Sequence, residues 1–251
     1  MITFITLYND LDEIFLNGNK NSIPAGSEHL IIKCEPSENK NTLYEEVNNI
    51  YGLNLPVNNC LKFDYESTLY GSLRKYYTYS YYKDDKINTL NLANVYNKVS
   101  QLAKNEWIFK LDCDERVSID NEDIAMLQGL PDEVAGIYCY VHSLELPTDN
   151  TFGHTSSVPQ LRLYRKKVEF INKIHEQNSP YLSKNGLKSL VSNILIKHLG
   201  YAIKENVIQK SIRNIQMLGT EIQQGENKYL LERLYKHLQL LSQEGYFGTH
   251  N

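Results

Sequence analysis

The chain has 251 residues, long enough for one large or two small domains whose core needs no disulfide support. Hydrophobic residues make up 41% and charged residues 22%, which excludes a disordered or fibrous chain. Lys and Arg total 26 against 30 Asp and Glu, so a net charge of -4 offers no general attraction for nucleic acid or anionic membranes.

Ile2 to Tyr8 is a short apolar, β-branched run that ends at Asn9-Asp10, turn chemistry that suits a buried strand giving way to a helix. His29 to Cys34 is a second such run. Asn41 to Tyr51 has helical spacing at Leu43, Val47 and Ile50 and stops at Gly52, and Asn59 to Tyr65 supplies a third strand. Leu90 to Ala103 carries Leu92, Val95, Val99 and Leu102 at helix period, and Trp107 to Leu111 then reads as a buried strand. Strands alternating with helices imply a parallel α/β sheet, whose ligands lie beyond the carboxyl ends of the strands.

Further on, Ile137 to Val141 and Gln160 to Tyr164 are strand candidates, separated by a polar stretch from Ser143 to Pro159 that reads as a functional loop or hairpin. Glu205 to Gln223 and Asn227 to Glu244 are helical, with Gly225 as the break. The expected division is a domain over residues 1–202 and a helical C-terminal extension over 203–251, the extension being a candidate for homodimer formation. Cys34, Cys60, Cys113 and Cys139 form no CxxC pair, which favours reduced thiols over a zinc ribbon or redox dithiol. No run reaches the roughly 18 to 20 apolar residues of a membrane span, and Met1 to Ile5 lacks signal-peptide features. A cytoplasmic chain that starts directly in folded structure is the expectation.

The most informative segment is Glu106 to Arg116, EWIFKLDCDER. Asp112 and Asp114 leave the carboxyl end of a strand one residue apart, an arrangement suited to a hard divalent cation on a diphosphate. Strand-end carboxylates also serve simply to solvate a turn, so the bare DxD is a weak signal. Its context is more specific. EWIFKLDCDE resembles the "EWI..LDADE" strand of family 2 glycosyltransferases with the GT-A fold, in the group that contains the sublancin peptide S-glycosyltransferase. Arg162 to Arg165 with Val168 to Glu176 is similar to that group's "R.FR…..F.G.IHE" segment, His198-Leu199-Gly200-Tyr201 to its "H.GY", and Lys210 to Asn214 to its "K..RN" helix. Asn97 stands where the group has the Asn of its "ARN" helix, although the preceding Arg is Tyr96 here.

The resemblance spans about half the chain. It implies a GT-A domain with a Rossmann-like, mainly parallel mixed sheet, using Mn2+ or Mg2+ and a nucleotide-sugar donor, a UDP-sugar above others. Asp114, Asp112 and His198 would form the metal set, with Asp112 also reaching the ribose or a metal-bound water. Glu176 would be the base of an inverting transfer, with His175 orienting substrate or phosphate. Arg162 and Arg165 lie three apart on an alternating strand, so one of them is expected to face the donor. Asn97, and by location Tyr8, Asn9, Asp10 and Glu35, complete the expected donor pocket; ordinary loop or turn residues are the alternative for these four. Arg74 to Lys83 interleaves aromatics with cations, which suits a packed strand face or a sugar-stacking surface. The acceptor would be a peptide, a glycan or modified DNA, and a nucleotide-binding module with a degenerate site is the competing reading.

Overall fold

A computed structural model of the chain describes residues 1–8, 13–36, 60–69, 72–81, 92–144, 154–172, 175–199 and 228–243, with six more between 211 and 222. The elements are β1 (Ile2–Tyr8), α1 (Glu13–Ser22), β2 (Glu28–Pro36), β3 (Cys60–Leu69) and β4 (Ser72–Tyr81). They continue with α2 (Leu92–Leu102), β5 (Trp107–Lys110), β6 (Glu115–Ser118), α3 (Asn121–Gln128) and β7 (Val134–Leu144). β8 (His154–Arg165), α4 (Ser179–Lys184), β9 (Lys188–His198) and α5 (Lys228–Gln243) complete the order. The expected helix at Asn41 to Tyr51 lies outside the described residues, as do Asn9, Asp10 and most of Glu205 to Gln223.

The strands form one mixed sheet in the order β3-β4-β2-β1-β5-β8-β7-β9-β6. β4, β2, β1 and β5 are mutually parallel. Counted along the chain they run third, second, first, fourth, the doubly wound order. β8 is then inserted antiparallel between β5 and β7, β9 runs parallel to β7, and β6 pairs antiparallel with β9. Between the edge strands β3 and β6 lie seven strands, and the parallel β4-β2-β1-β5 part of them is the Rossmann-like arrangement expected from the sequence.

Burial on both faces explains why β1, β2 and β5 read as largely apolar runs. On one face Ile5, Leu30, Ile32 and Ile108 pack with Val95, Tyr96 and Val99 of α2 and with Tyr164 and Phe170. On the other, Ile2, Phe4, Trp107 and Phe109 pack with Ile137, Leu163 and Leu127 of α3. Each such aliphatic or aromatic side chain contributes roughly 1.5 to 3 kcal/mol when fully buried. Cys34, Cys113 and Cys139 are buried and form no disulfide among the described residues.

One element differs from the sequence expectation, and two take one of the forms it offered. The aromatic and cationic stretch after Tyr70 is strand β4, paired on both sides along Arg74 to Ser80. The third strand is longer than its apolar start suggests and reaches Leu69. The Ser143 to Pro159 stretch is in part the β7–β8 hairpin, since Ser143 pairs with Ser156 and Tyr140 with Pro159. No helix among the described residues is long and apolar enough to cross a membrane.

Candidate functional site

The strand order reverses between β1 and β5, which opens a crevice at their carboxyl ends. β5 ends at Lys110, and the chain turns through Leu111 to Asp114 before β6 begins. The amide of Glu115 donates to the Asp112 carbonyl at 2.9 Å, closing the turn. Buried Asn19 of α1 holds the same turn from below, its Nδ2 donating to the Asp112 carbonyl at 2.9 Å and the Glu115 carbonyl at 3.3 Å. Arg116 adds bonds to the carbonyls of Cys113, Glu115 and Phe15. Helix α1 therefore fixes the loop on which the two Asp residues sit.

Asp112 faces three partners. Its Oδ2 accepts from Arg162 at 3.1 Å, and its Oδ1 accepts from the Tyr96 hydroxyl at 3.3 Å and lies 3.7 Å from Lys110 Nζ. Burial disfavours the charged form, but Lys110 and Arg162 outweigh it and hold the carboxyl well below the ordinary aspartate range. Burial, with Asp112 and Glu176 adding to it, keeps the Tyr96 hydroxyl protonated well above its usual range, so Tyr96 remains a donor.

Arg162 also grips Glu115, whose other oxygen accepts the Asp112 amide at 2.8 Å. Burial pushes Glu115 up to about 7 against the opposing pull of Arg162. Lys110 in turn pairs with Glu176, from the loop before α4. Burial would lower the Lys110 pKa, yet Asp112 and Glu176 raise it overall, so the ammonium persists. Glu115, Arg162, Asp112, Lys110 and Glu176 thus form a row of alternating charge across the crevice.

Asp114 points the other way, toward His198 at the end of β9, with Oδ2 and Nε2 3.4 Å apart. The strand register makes this contact, because His198 pairs with Glu115 on one side and Ser143 on the other. Ser143 Oγ lies 3.4 Å from His198 Nδ1. Among the described residues no three His, Cys, Asp or Glu side chains already form a metal cluster. Asp114 and His198 could supply two ligands, one carboxylate and one imidazole, to a divalent cation. Asp112 is directed to Arg162 and stands beside that pair.

No protein-family model matches the chain, and no curated protein matches it. Similar solved structures include S. aureus TarS residues 1–349, at 10% identity and TM-score 0.42, covering 100% of this chain and 75% of that one. Another is a putative glucose-1-phosphate thymidylyltransferase from Bacillus anthracis in complex with a sucrose, at 11% identity and TM-score 0.40, covering 82% and 94%. HddC from Yersinia pseudotuberculosis follows at 10% identity and TM-score 0.37, covering 83% and 97%.

Arg165, Asn97, Tyr8, Glu35 and His175 are the other residues expected at the site. Arg165, on the opposite face of β8 from Arg162, donates to the carbonyls of Val134, Leu130 and Pro131 and lies over the Trp107 ring at 4.7 Å. It braces the sheet away from the crevice, because an odd spacing on a strand reverses the side. The Asn97 amide binds the Phe170 backbone, donating to its carbonyl at 3.0 Å and accepting its N–H at 2.7 Å. Tyr8 ends β1 and packs near Cys113 with Phe15 and Leu16. Glu35 lies near the end of β2, and its side chain is outside the described residues.

His175, with a left-handed φ of 51°, turns its Nε2 to Nε2 of His237 on α5 at 3.0 Å. His237 also meets Asn214 and Ser211. The ring centroids are 5.2 Å apart with planes at 22°, so the rings meet along the N···N line. His175 therefore joins the loop of Glu176 to the C-terminal helix. Lys110, Tyr96, Glu115, Asn19 and Ser143 enter the site without a sequence expectation; acidic Glu115 beside the DxD and Lys110 at the end of an apolar strand were the available signals.

Proposed function

We propose that the protein is a divalent-metal-dependent glycosyltransferase that moves a sugar from a nucleotide-sugar, a UDP-sugar above others, to a peptide, glycan or modified nucleobase. The subgroup proposed is the sublancin-like branch of family 2. One observation carries the reading. Asp112 to Glu115, Arg162, Glu176 and His198, distant in sequence, converge at the carboxyl ends of β1 and β5, where a doubly wound sheet takes a nucleotide.

Asp114 and His198 would hold the cation, which when bound neutralises charge on the departing diphosphate. Asp112, Asp114, Glu115 and Glu176 lie close to Lys110, Arg162 and His198, so the acidic groups of the crevice are already paired with basic ones when a diphosphate enters. The Asp112 side chain is 38% exposed, the most open of these carboxylates, and presents an edge to a ribose hydroxyl or a water while Arg162 fixes its plane.

Glu176 takes the proton of the acceptor hydroxyl or thiol as that atom attacks the anomeric carbon. A bond forms from acceptor to anomeric carbon, the bond to the diphosphate oxygen breaks on the opposite face, and the nucleoside diphosphate leaves with the electron pair. Configuration is inverted. His175, bound to His237, supports the Glu176 loop in this scheme and does not touch the donor.

The test is a screen of UDP-, GDP- and other nucleotide-sugars with Mn2+, read as released nucleotide, repeated in EDTA and with Asp114→Ala. Turnover that depends on both the cation and Asp114 is expected. Undiminished turnover in EDTA or in the variant overturns the metal-centred mechanism. Binding of a nucleoside diphosphate without sugar release from any donor favours a non-catalytic nucleotide-binding module.

A further inference from the structure

We propose that Lys110 is a positioning residue for Glu176, holding the carboxylate of the base at a set place beside Asp112. The inference rests on the reading of Glu176 as base given above. Ile108 and Lys110 share one face of β5, by the two-residue alternation of a strand. Ile108 fills an apolar cluster with Tyr96, Tyr164 and Phe170. Lys110 continues along that wall, its ammonium 5.0 Å from the centre of the Tyr96 ring, which itself stacks on Phe170. The position is one that an aliphatic residue would fill by pattern. A lysine there, with only 12% of its side chain exposed, requires counter-charges, and it has two: Glu176 in direct contact and Asp112 at 3.7 Å.

Glu176 has the converse need. Its side chain is 6% exposed, and the loop that carries it includes left-handed residues at Asn172 and His175. Among the described ion pairs its carboxylate meets Lys110 alone. Without the ammonium, a buried carboxylate would face Asp112, a like charge, and the two would separate. Arg162 holds the far oxygen of Asp112, so Asp112 cannot follow a moving base. Lys110 is therefore the member of the charge row that sets the separation between the nucleotide end and the proton acceptor. A base displaced by about 1 Å loses on the order of a hundredfold in rate.

The experiment compares Lys110→Met, Lys110→Arg and Glu176→Gln, with UDP-glucose and UDP-N-acetylglucosamine as probes under Mn2+ and circular dichroism as the folding check. Lys110→Met is expected to lower kcat roughly a hundredfold while the donor KM changes less than about threefold. Lys110→Arg should recover most of kcat, and Lys110→Met placed on Glu176→Gln should cost nothing further, because the two act as a unit. A wild-type kcat in folded Lys110→Met, or a further loss in the double variant, overturns the proposal while leaving the base reading intact. Normal turnover in Glu176→Gln overturns the base reading itself, and the proposal with it, as does the absence of turnover with every nucleotide-sugar. If Lys110→Met does not fold, Lys110→Gln decides, because it keeps a polar side chain without the charge: a reduced kcat at unchanged KM supports positioning, and an unchanged kcat overturns it.

Discussion

His198 Nε2 lies 3.4 Å from Asp114 Oδ2 because β9 pairs His198 directly with Glu115, the residue after Asp114. Burial alone would lower the imidazole pKa, but the hydrogen bond to Asp114 and the nearby carboxylates raise it above the ordinary histidine value. The folded state therefore binds this proton more tightly than the unfolded chain. The resulting stabilisation is complete below the unfolded value, about 6.5, and is lost as pH rises through the folded one. In EDTA, the melting temperature of the wild type minus that of His198→Gln should be largest near pH 6 and shrink steadily toward pH 8.5. A difference that is flat or grows with pH would mean that the Asp114 contact does not favour the imidazolium.

Arg162 serves Glu115 and Asp112 at once, and the Glu115 side chain is only 1% exposed. Arg162→Met should cost about 3 to 5 kcal/mol, because it leaves the buried Glu115 carboxylate without its cation. The cost should also grow with pH. Glu115, already at about 7 through burial, would rise further without Arg162. A carboxyl raised in the folded state gives stability that is present below the unfolded pKa and lost as pH rises through the folded one. Urea unfolding at pH 6 and pH 8.5 checks both points, and a loss below about 1 kcal/mol at either pH would sink the argument.

Much of the fold is legible in the sequence where burial is two-sided. β1, β2 and β5 announce themselves as apolar runs and α2 as a clean helical stripe. β9 is harder to see, since Lys188 to Val191 are exposed and full burial begins only at Ile194. α3 buries Leu127 alone, and its clearest signature is the Asp120 and Asp123 capping box rather than a hydrophobic face. At the site, Asp112, Asp114, Glu176 and His198 stand out because their motifs are local. Their counter-charges do not. Lys110 is one polar letter in an apolar strand until the chain brings Glu176 to it, and only packing reveals that Arg162 faces the crevice while Arg165 faces Trp107.

Asn97 is expected from the sequence to contact the donor, yet its amide is matched on both sides by the backbone of Phe170. Asn97→Ala should therefore destabilise the protein by about 2 kcal/mol, through two lost hydrogen bonds and the groups left unpaired. Hydrogen exchange at the Phe170 amide should accelerate in the same variant. Asn97→Asp keeps the acceptor for that amide and should protect it better than Ala does. Unchanged stability and exchange, together with weakened nucleotide binding, would restore the donor-contact role and remove the structural one.

Asn19 tests whether α1 controls the acidic turn. Its Oδ1 accepts from the Thr6 hydroxyl at 3.2 Å, which orients the amide so that Nδ2 donates to the carbonyls of Asp112 and Glu115. Both carbonyls have another partner, the Glu115 amide for one and Arg116 for the other. Asn19→Ala should thus cost only about 1 to 2 kcal/mol. Asn19→Asp is isosteric but sets a buried carboxylate against two carbonyl oxygens, and should cost more than Ala, about 3 kcal/mol or above. Denaturant midpoints of the two variants give the ranking. Under the metal role proposed for Asp114 and His198, the aspartate variant should also weaken Mn2+ binding in calorimetry, because moving the Asp112 carbonyl shifts Asp114 relative to His198. An aspartate variant as stable as the alanine one would show that the turn is not held through that amide.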